Sequence, residues 1–109
     1  MSKALNSSYK VIQIFRKINT EMPSQQIAMF LRIASYEGVT LPELAEALNT
    51  TVASVSRNGK ILSEYMEKGE LKGYGLIGMR PDIRERRRLA CFLTDKGREL
   101  VAELDRVFK

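Results

Sequence analysis

The sequence predicts a mainly α fold (α+β) with one small β-hairpin, and three observations predict it. Apolar residues recur at helical spacing through most of the first 69 positions. Gly73, Gly75 and Gly78 then break that texture, and two short apolar stretches suited to strands follow. A last helical stripe runs to the C-terminus. With 109 residues, 44% hydrophobic and 28% charged, the expectation is one domain spanning 1–109.

Val11, Ile14, Phe15 and Ile18 predict a first amphipathic helix from about Ser8 to Asn19, with Leu5 and Ile12 off its stripe and free to meet a partner. Met22-Pro23 interrupts the pattern. Ser24 is the expected cap of a second helix carrying Ile27, Phe30, Leu31 and Ala34 as far as Gly38. Thr40-Leu-Pro-Glu43 reads as a capping box that opens a third helix, whose core face is Leu41, Leu44, Ala45 and Leu48. Asn49 suits the left-handed residue that ends it. Thr51 caps a fourth helix, expected to turn Val52, Val55 and Leu62 inward and to close at Gly69. Leu76-Ile77 and Leu89–Leu93 are the two strands. Thr94-Asp95 caps a final helix with Leu100, Val101, Leu104, Val107 and Phe108 on its apolar side.

Two helices joined across Asn49-Thr50 make a helix-turn-helix over 40–67, in which the second helix enters a major groove. Its expected outward residues are Thr51, Ala53, Ser54, Arg57, Asn58 and Lys60. Ser54, Arg57 and Asn58 share a face by their i, i+3, i+4 spacing. Arginine pairs with guanine through two hydrogen bonds and asparagine does so with adenine, so these side chains suit base reading. Between the strands lie five arginines, Arg80, Arg84, Arg86, Arg87 and Arg88, at the tip of a hairpin spanning 75–93. A basic tip directly after a helix-turn-helix is a wing able to reach phosphates or the minor groove.

The net charge of +5 favours a polyanionic partner. Without histidine and with Cys91 as the single cysteine, the chain lacks a Cys/His zinc site, a Ser-His-Asp triad and an intrachain disulfide. No catalytic residue, metal ligand, cofactor or effector is assigned, and an enzyme is not expected. Cys91 alternates with Leu89 and Leu93 and reads as a core thiol. Met22, Met29, Met66 and Met79 read as core filler. The N-terminus lacks a signal-peptide core and no stretch is long enough to span a membrane, so a cytoplasmic protein is expected.

From Gly75 to Gly97 the run GLIGMRPDIRERRRLACFLTDKG resembles the wing and following helix start of the MarR family. Glu43-Leu-Ala-Glu-Ala-Leu48, followed by Thr51-Val-Ala-Ser-Val-Ser-Arg57, resembles that family's helix-turn-helix. The resemblance covers roughly 24–104. It implies a homodimer held by helices at 1–20 and 94–109, recognition helices in successive major grooves of double-stranded DNA, and transcription control, with repression the favoured outcome. It places Arg84, Arg86 and Arg87 on the backbone or minor groove, and makes Asp82 the wing aspartate that orients a neighbouring arginine. Three departures stand out. Gly59 interrupts the recognition helix on its inner face, Glu70–Tyr74 looks extra, and the sequence stops where the family adds another long helix, which implies a smaller or differently arranged dimer. Two other readings of the same features are a plasmid- or phage-type replication or architectural DNA-binding protein and a winged-helix protein-interaction module.

Overall fold

Side-chain caps from Ser2, Thr40, Thr51 and Thr94 mark where their helices start. The structure is a computed structural model describing residues 2–109. The Ser2 hydroxyl accepts the Leu5 amide, so α1 runs Lys3–Ile18 and starts five residues before the expected Ser8, with no breaker in Lys3–Asn6 to delay it. Helix α2 spans Ser24–Ser35, with Pro23 and not Ser24 at the cap position and no side-chain cap bond. Helix α3, Leu41–Ala47, opens on the full capping box: the Glu43 amide donates to Thr40 Oγ1, and Glu43 Oε1 accepts from the Thr40 amide at 2.9 Å. Asn49, at φ 54°, ends that segment in the left-handed region. Helix α4 is Val52–Leu62, capped by Thr51.

The expected closure of α4 at Gly69 is corrected by a second hairpin. Strands β1 (Met66–Glu67) and β2 (Glu70–Leu71) pair antiparallel across Lys68-Gly69, which takes φ 53° and 81°. Two successive positive φ values match the right-handed twist of the flanking strands, and this turn ends the helical segment sooner. The chain then comes back onto the end of α4. The carbonyls of Ile61, Leu62 and Ser63 accept from the amides of Tyr74, Leu76 and Gly75, satisfying acceptors that a helix terminus leaves open.

Strands β3 (Ile77–Pro81) and β4 (Leu89–Leu93) form the larger hairpin, in register from Ile77↔Leu93 to Pro81↔Leu89. The other edge of β4 is also covered. Gly38 donates to the Cys91 carbonyl and Cys91 donates to that of Val39, each at 2.8 Å, so the α2–α3 connection acts as a third strand. Helix α5, Asp95–Val107, returns across α1.

Buried side chains from all five helices and the β3–β4 hairpin form one cluster. Phe15 and Phe30 meet edge to face at 5.9 Å near its centre, joining α1 to α2. Met29 and Cys91 lie inside it and Met22 and Met79 against it, whereas Met66 is 65% exposed on the second hairpin and fills no core gap. Val52 likewise faces out, because Val55, Gly59 and Leu62 take the inner face of α4.

Candidate nucleic-acid interface

Helix α4 presents an outward face of Val52, Ala53, Ser56, Arg57 and Lys60. The Thr51 hydroxyl is spent on the cap, accepting from the Ser54 amide at 3.1 Å. Arg57 is exposed and enters none of the ion pairs among the described residues. Lys60 lies with its ammonium 4.9 Å from the Tyr65 ring centroid, so its stem is drawn back along the end of the helix.

Two predicted readers lie elsewhere. Ser54 and Asn58 are half-buried at the seam with α2. Ser54 Oγ accepts from Gln25 Nε2 at 2.7 Å, and Asn58 Oδ1 accepts from Gln26 Nε2 at 3.1 Å. Ser54 and Asn58 flank the buried positions Val55, Gly59 and Leu62, and Val52 and Ser56 face outward in their place. Ser56 is missing from the sequence-predicted set; its i, i+4 relation to Val52 would have found it once Val52 was known to face out.

The wing is built as a braced loop. The Asp82 amide donates to the Arg88 carbonyl at 2.9 Å and the Arg88 amide donates to that of Glu85, closing the tip. The Asp82 side chain is buried, and Arg84 Nε lies 3.4 Å from its Oδ2. Arg84 also reaches to 3.9 Å from Glu43 Oε1, the carboxylate that caps α3. Hydrogen bonds from the Thr40 amide and hydroxyl, then the nearby Arg84 and Arg88 charges, hold the Glu43 carboxyl below its usual range. One carboxylate thus serves both the helix-turn-helix and the wing.

The five arginines divide by partner. Arg80 stacks 3.8 Å over the Phe92 ring, with its stem along β3. Arg84 is committed to Asp82 and Glu43. Arg87 forms a two-pronged pair with Glu85, both contacts at 3.1 Å, which lowers the Glu85 pKa and raises that of Arg87. Arg86 and Arg88 are exposed and enter no ion pair among the described residues. Beside them Ile83 is 91% exposed, an apolar tip that attention to charge alone passes over. Among the described residues the arrangement offers a polyanion the guanidinium groups of Arg86 and Arg88 on a braced loop and that of Arg57 on α4, none of them in an ion pair.

Cys91 is fully buried, and burial pushes its thiol up to about 12. Among the described residues no group of three or more metal-ligating side chains comes together, and no helix is long and apolar enough to cross a membrane. Tyr36 lies under Arg32 beside a groove of about 300 Å³ that Glu43 and Arg84 share.

No protein-family model and no curated protein matches this sequence. Solved structures do match it in fold. A MarR transcriptional regulator from Methanosarcina mazei Go1 is 22% identical with a TM-score of 0.67, the match covering 95% of this chain and 69% of that one. MepR of S. aureus, solved as a complex with DNA, is 22% identical with a TM-score of 0.69, covering 93% and 77%. The transcriptional repressor CouR, bound to a 23-mer DNA duplex, is 20% identical with a TM-score of 0.66, covering 95% and 66%. The chain spans about two thirds to three quarters of the length of these relatives, and across that span it has the MarR-type winged helix-turn-helix fold.

Proposed function

Starting from that fold, we propose that the chain is a sequence-specific double-stranded-DNA-binding protein of the cytoplasm that regulates transcription, by repression, as a homodimer. One observation carries the reading: Arg57, exposed on the outward face of α4 and in no ion pair among the described residues, belongs to a helix that packs on β3 of the wing hairpin, where buried Asp82 and capping Glu43 both contact Arg84. MepR and CouR, with the same fold, were solved on DNA. In this reading Arg57, flanked by Val52, Ala53, Ser56 and Lys60, meets base edges. The Thr51 end of α4 approaches a phosphate, and Arg86, Arg88 and Ile83 meet the backbone or minor groove, with Arg80 and Arg87 at the margins. Ser54 and Asn58 support the reading helix from behind. The homodimer is supported by exposed Leu5, Tyr9 and Ile12 along α1 and Phe108 at the end of α5.

Selection from a random duplex pool at near-physiological salt tests this. A two-fold motif with half-sites about one helical turn apart is the expected product. On that duplex Arg57→Ala should lose about 1–3 kcal/mol and relax one base position. Arg86→Ala should weaken all sequences alike and flatten the salt dependence. The inward placement of Ser54 and Asn58 favours one second reading, an architectural or replication-associated DNA-binding protein with few base contacts. Retention of duplexes with no motif would select it.

A further inference from the structure

A chain of side-chain hydrogen bonds crosses the molecule behind the reading helix. Asn19, which ends α1, donates from Nδ2 to Tyr74 Oη at 2.8 Å. Tyr74 donates to Gln26 Oε1 at 3.1 Å. Gln26 donates from Nε2 to Asn58 Oδ1, and Asn58 donates from Nδ2 to the Ser54 carbonyl, each at 3.1 Å. Gln26 is 3% exposed, and no buried side-chain nitrogen or oxygen among the described residues lacks a partner.

The polarity of this chain is dictated from one end. A backbone carbonyl only accepts, so the Asn58 group facing Ser54 must be its NH₂ and its oxygen must face Gln26. Gln26 must then present its NH₂ to Asn58 and its oxygen to Tyr74. Tyr74 must donate, and Asn19 must donate to Tyr74. Each member has one arrangement that satisfies the others, and bonds aligned in this way reinforce one another. The backbone next to Tyr74 acts on the same helix, since the amides of residues 74–76 close the carbonyl end of α4.

We infer that Asn19, Tyr74, Gln26 and Asn58 form a positioning relay that sets the rotation of α4 about its axis and so decides which side chains face a DNA duplex. The sense of that last clause rests on the DNA-binding reading above. The relay also assigns a task to the Glu70–Tyr74 stretch, the segment that departs from the family pattern: it delivers the tyrosine hydroxyl to the seam between α1, α2 and α4.

The test uses the full chain with Tyr74→Phe, which deletes the one hydroxyl in the middle and leaves the ring. In the free protein, amide hydrogen exchange should rise about ten-fold within Ser54–Asn58 and stay unchanged in the core amides of α2 and in the wing tip. A merely structural loss would instead raise exchange throughout. Binding is then compared on the selected duplex and on a shuffled duplex of the same length. The ratio of the two affinities should fall about ten-fold, with the shuffled duplex bound as before. Exchange in α4 equal to wild type, or raised equally everywhere, overturns the relay, as does an unchanged affinity ratio in a protein that does discriminate. If the wild type shows no preference between the duplexes, the base-reading assignment of α4 fails instead, and the exchange experiment alone decides the relay.

Discussion

Residues whose side chains are absent do as much here as those that make contacts. A Cβ added at Gly97 would lie 2.1 Å from the Leu76 carbonyl oxygen, and one at Gly73 would lie 1.7 Å from that of Ser63. Both collisions are with backbone, which has no rotamer by which to yield. Gly97 sits in the first turn of α5, where Thr94 Oγ1 accepts the Gly97 amide and its hydroxyl donates to the Gly75 carbonyl, tying the helix start to the segment just before β3. Gly97→Ala is therefore expected to cost roughly 2–4 kcal/mol and lower Tm by about 10–20 °C. Gly78, whose added Cβ meets nothing within 4 Å, is the control and should change Tm by a few degrees at most. A Gly97→Ala protein melting with wild type would mean that α5 docks elsewhere. Cys91 allows a second test at this scale. Its thiol is protonated in the folded state up to about 12, whereas an unfolded thiol ionises near 8.5, so its contribution to stability is complete below that lower value and declines as pH rises past it. Alkylation at pH 8 should then proceed only as fast as the protein opens, and slow with any stabilising ligand. Labelling at the rate of a free thiol would place Cys91 outside the core.

At the scale of elements, the wing is a lever joined to α3 through Glu43. The exposed Arg84–Glu43 contact contributes little energy by itself, of the order of 0–1 kcal/mol, and its consequence is direction. Asp82→Asn keeps the shape and removes the charge that turns Arg84. It should lower affinity for any duplex about three- to ten-fold with Tm nearly unchanged, as measured by titration on specific and shuffled DNA; a loss confined to one sequence would make Asp82 part of base reading. The brace also has a pH dependence whose sign is set by the lowered Glu43 pKa: it is present above the usual carboxylate range and is lost as pH falls through that lowered value. Capping chemistry made much of this layer readable in advance. Thr40 with Glu43, Asn49, Thr51 and Thr94 each act through a bond between a side chain and a nearby amide or through a local φ, and these are encoded within four residues. The second hairpin was not readable, because Met66–Leu71 carries the charges of a solvated helix end and only the Lys68-Gly69 turn reveals it. The inward turn of Ser54 and Asn58 was hidden for another reason: their partners, Gln25 and Gln26, are about thirty residues away on α2, beyond any local pattern.

Among the described residues the molecule presents one outward α4 face and one β3–β4 wing. In the DNA-binding reading proposed above, two-fold operators repeat their half-sites about 34 Å apart, and one copy of this chain has a single α4 with which to meet them. What could supply the second copy is visible on α1. Leu5, Tyr9 and Ile12 follow i, i+4, i+7 spacing and are 70%, 64% and 44% exposed, with Phe108, the residue after α5, at 69%. The inward residues of the same helix, Ile14 and Phe15, already fill the core, so this stripe has no task within the fold. Burying it against its own symmetry mate would remove apolar surface from water at about 25 cal/mol per Å², which favours pairing of two copies. The double substitution Leu5→Glu with Tyr9→Glu changes only solvent-facing positions and should leave the helical circular dichroism intact. Sedimentation should then report one 12.4 kDa chain, against the two expected of wild type. Affinity for a single half-site should be nearly retained while affinity for the full operator falls by about a hundred-fold or more, because the second contact is no longer intramolecular. A variant that still sedimented as a pair would move the interface off α1, and one that bound the full operator like wild type would show that each copy reads DNA alone.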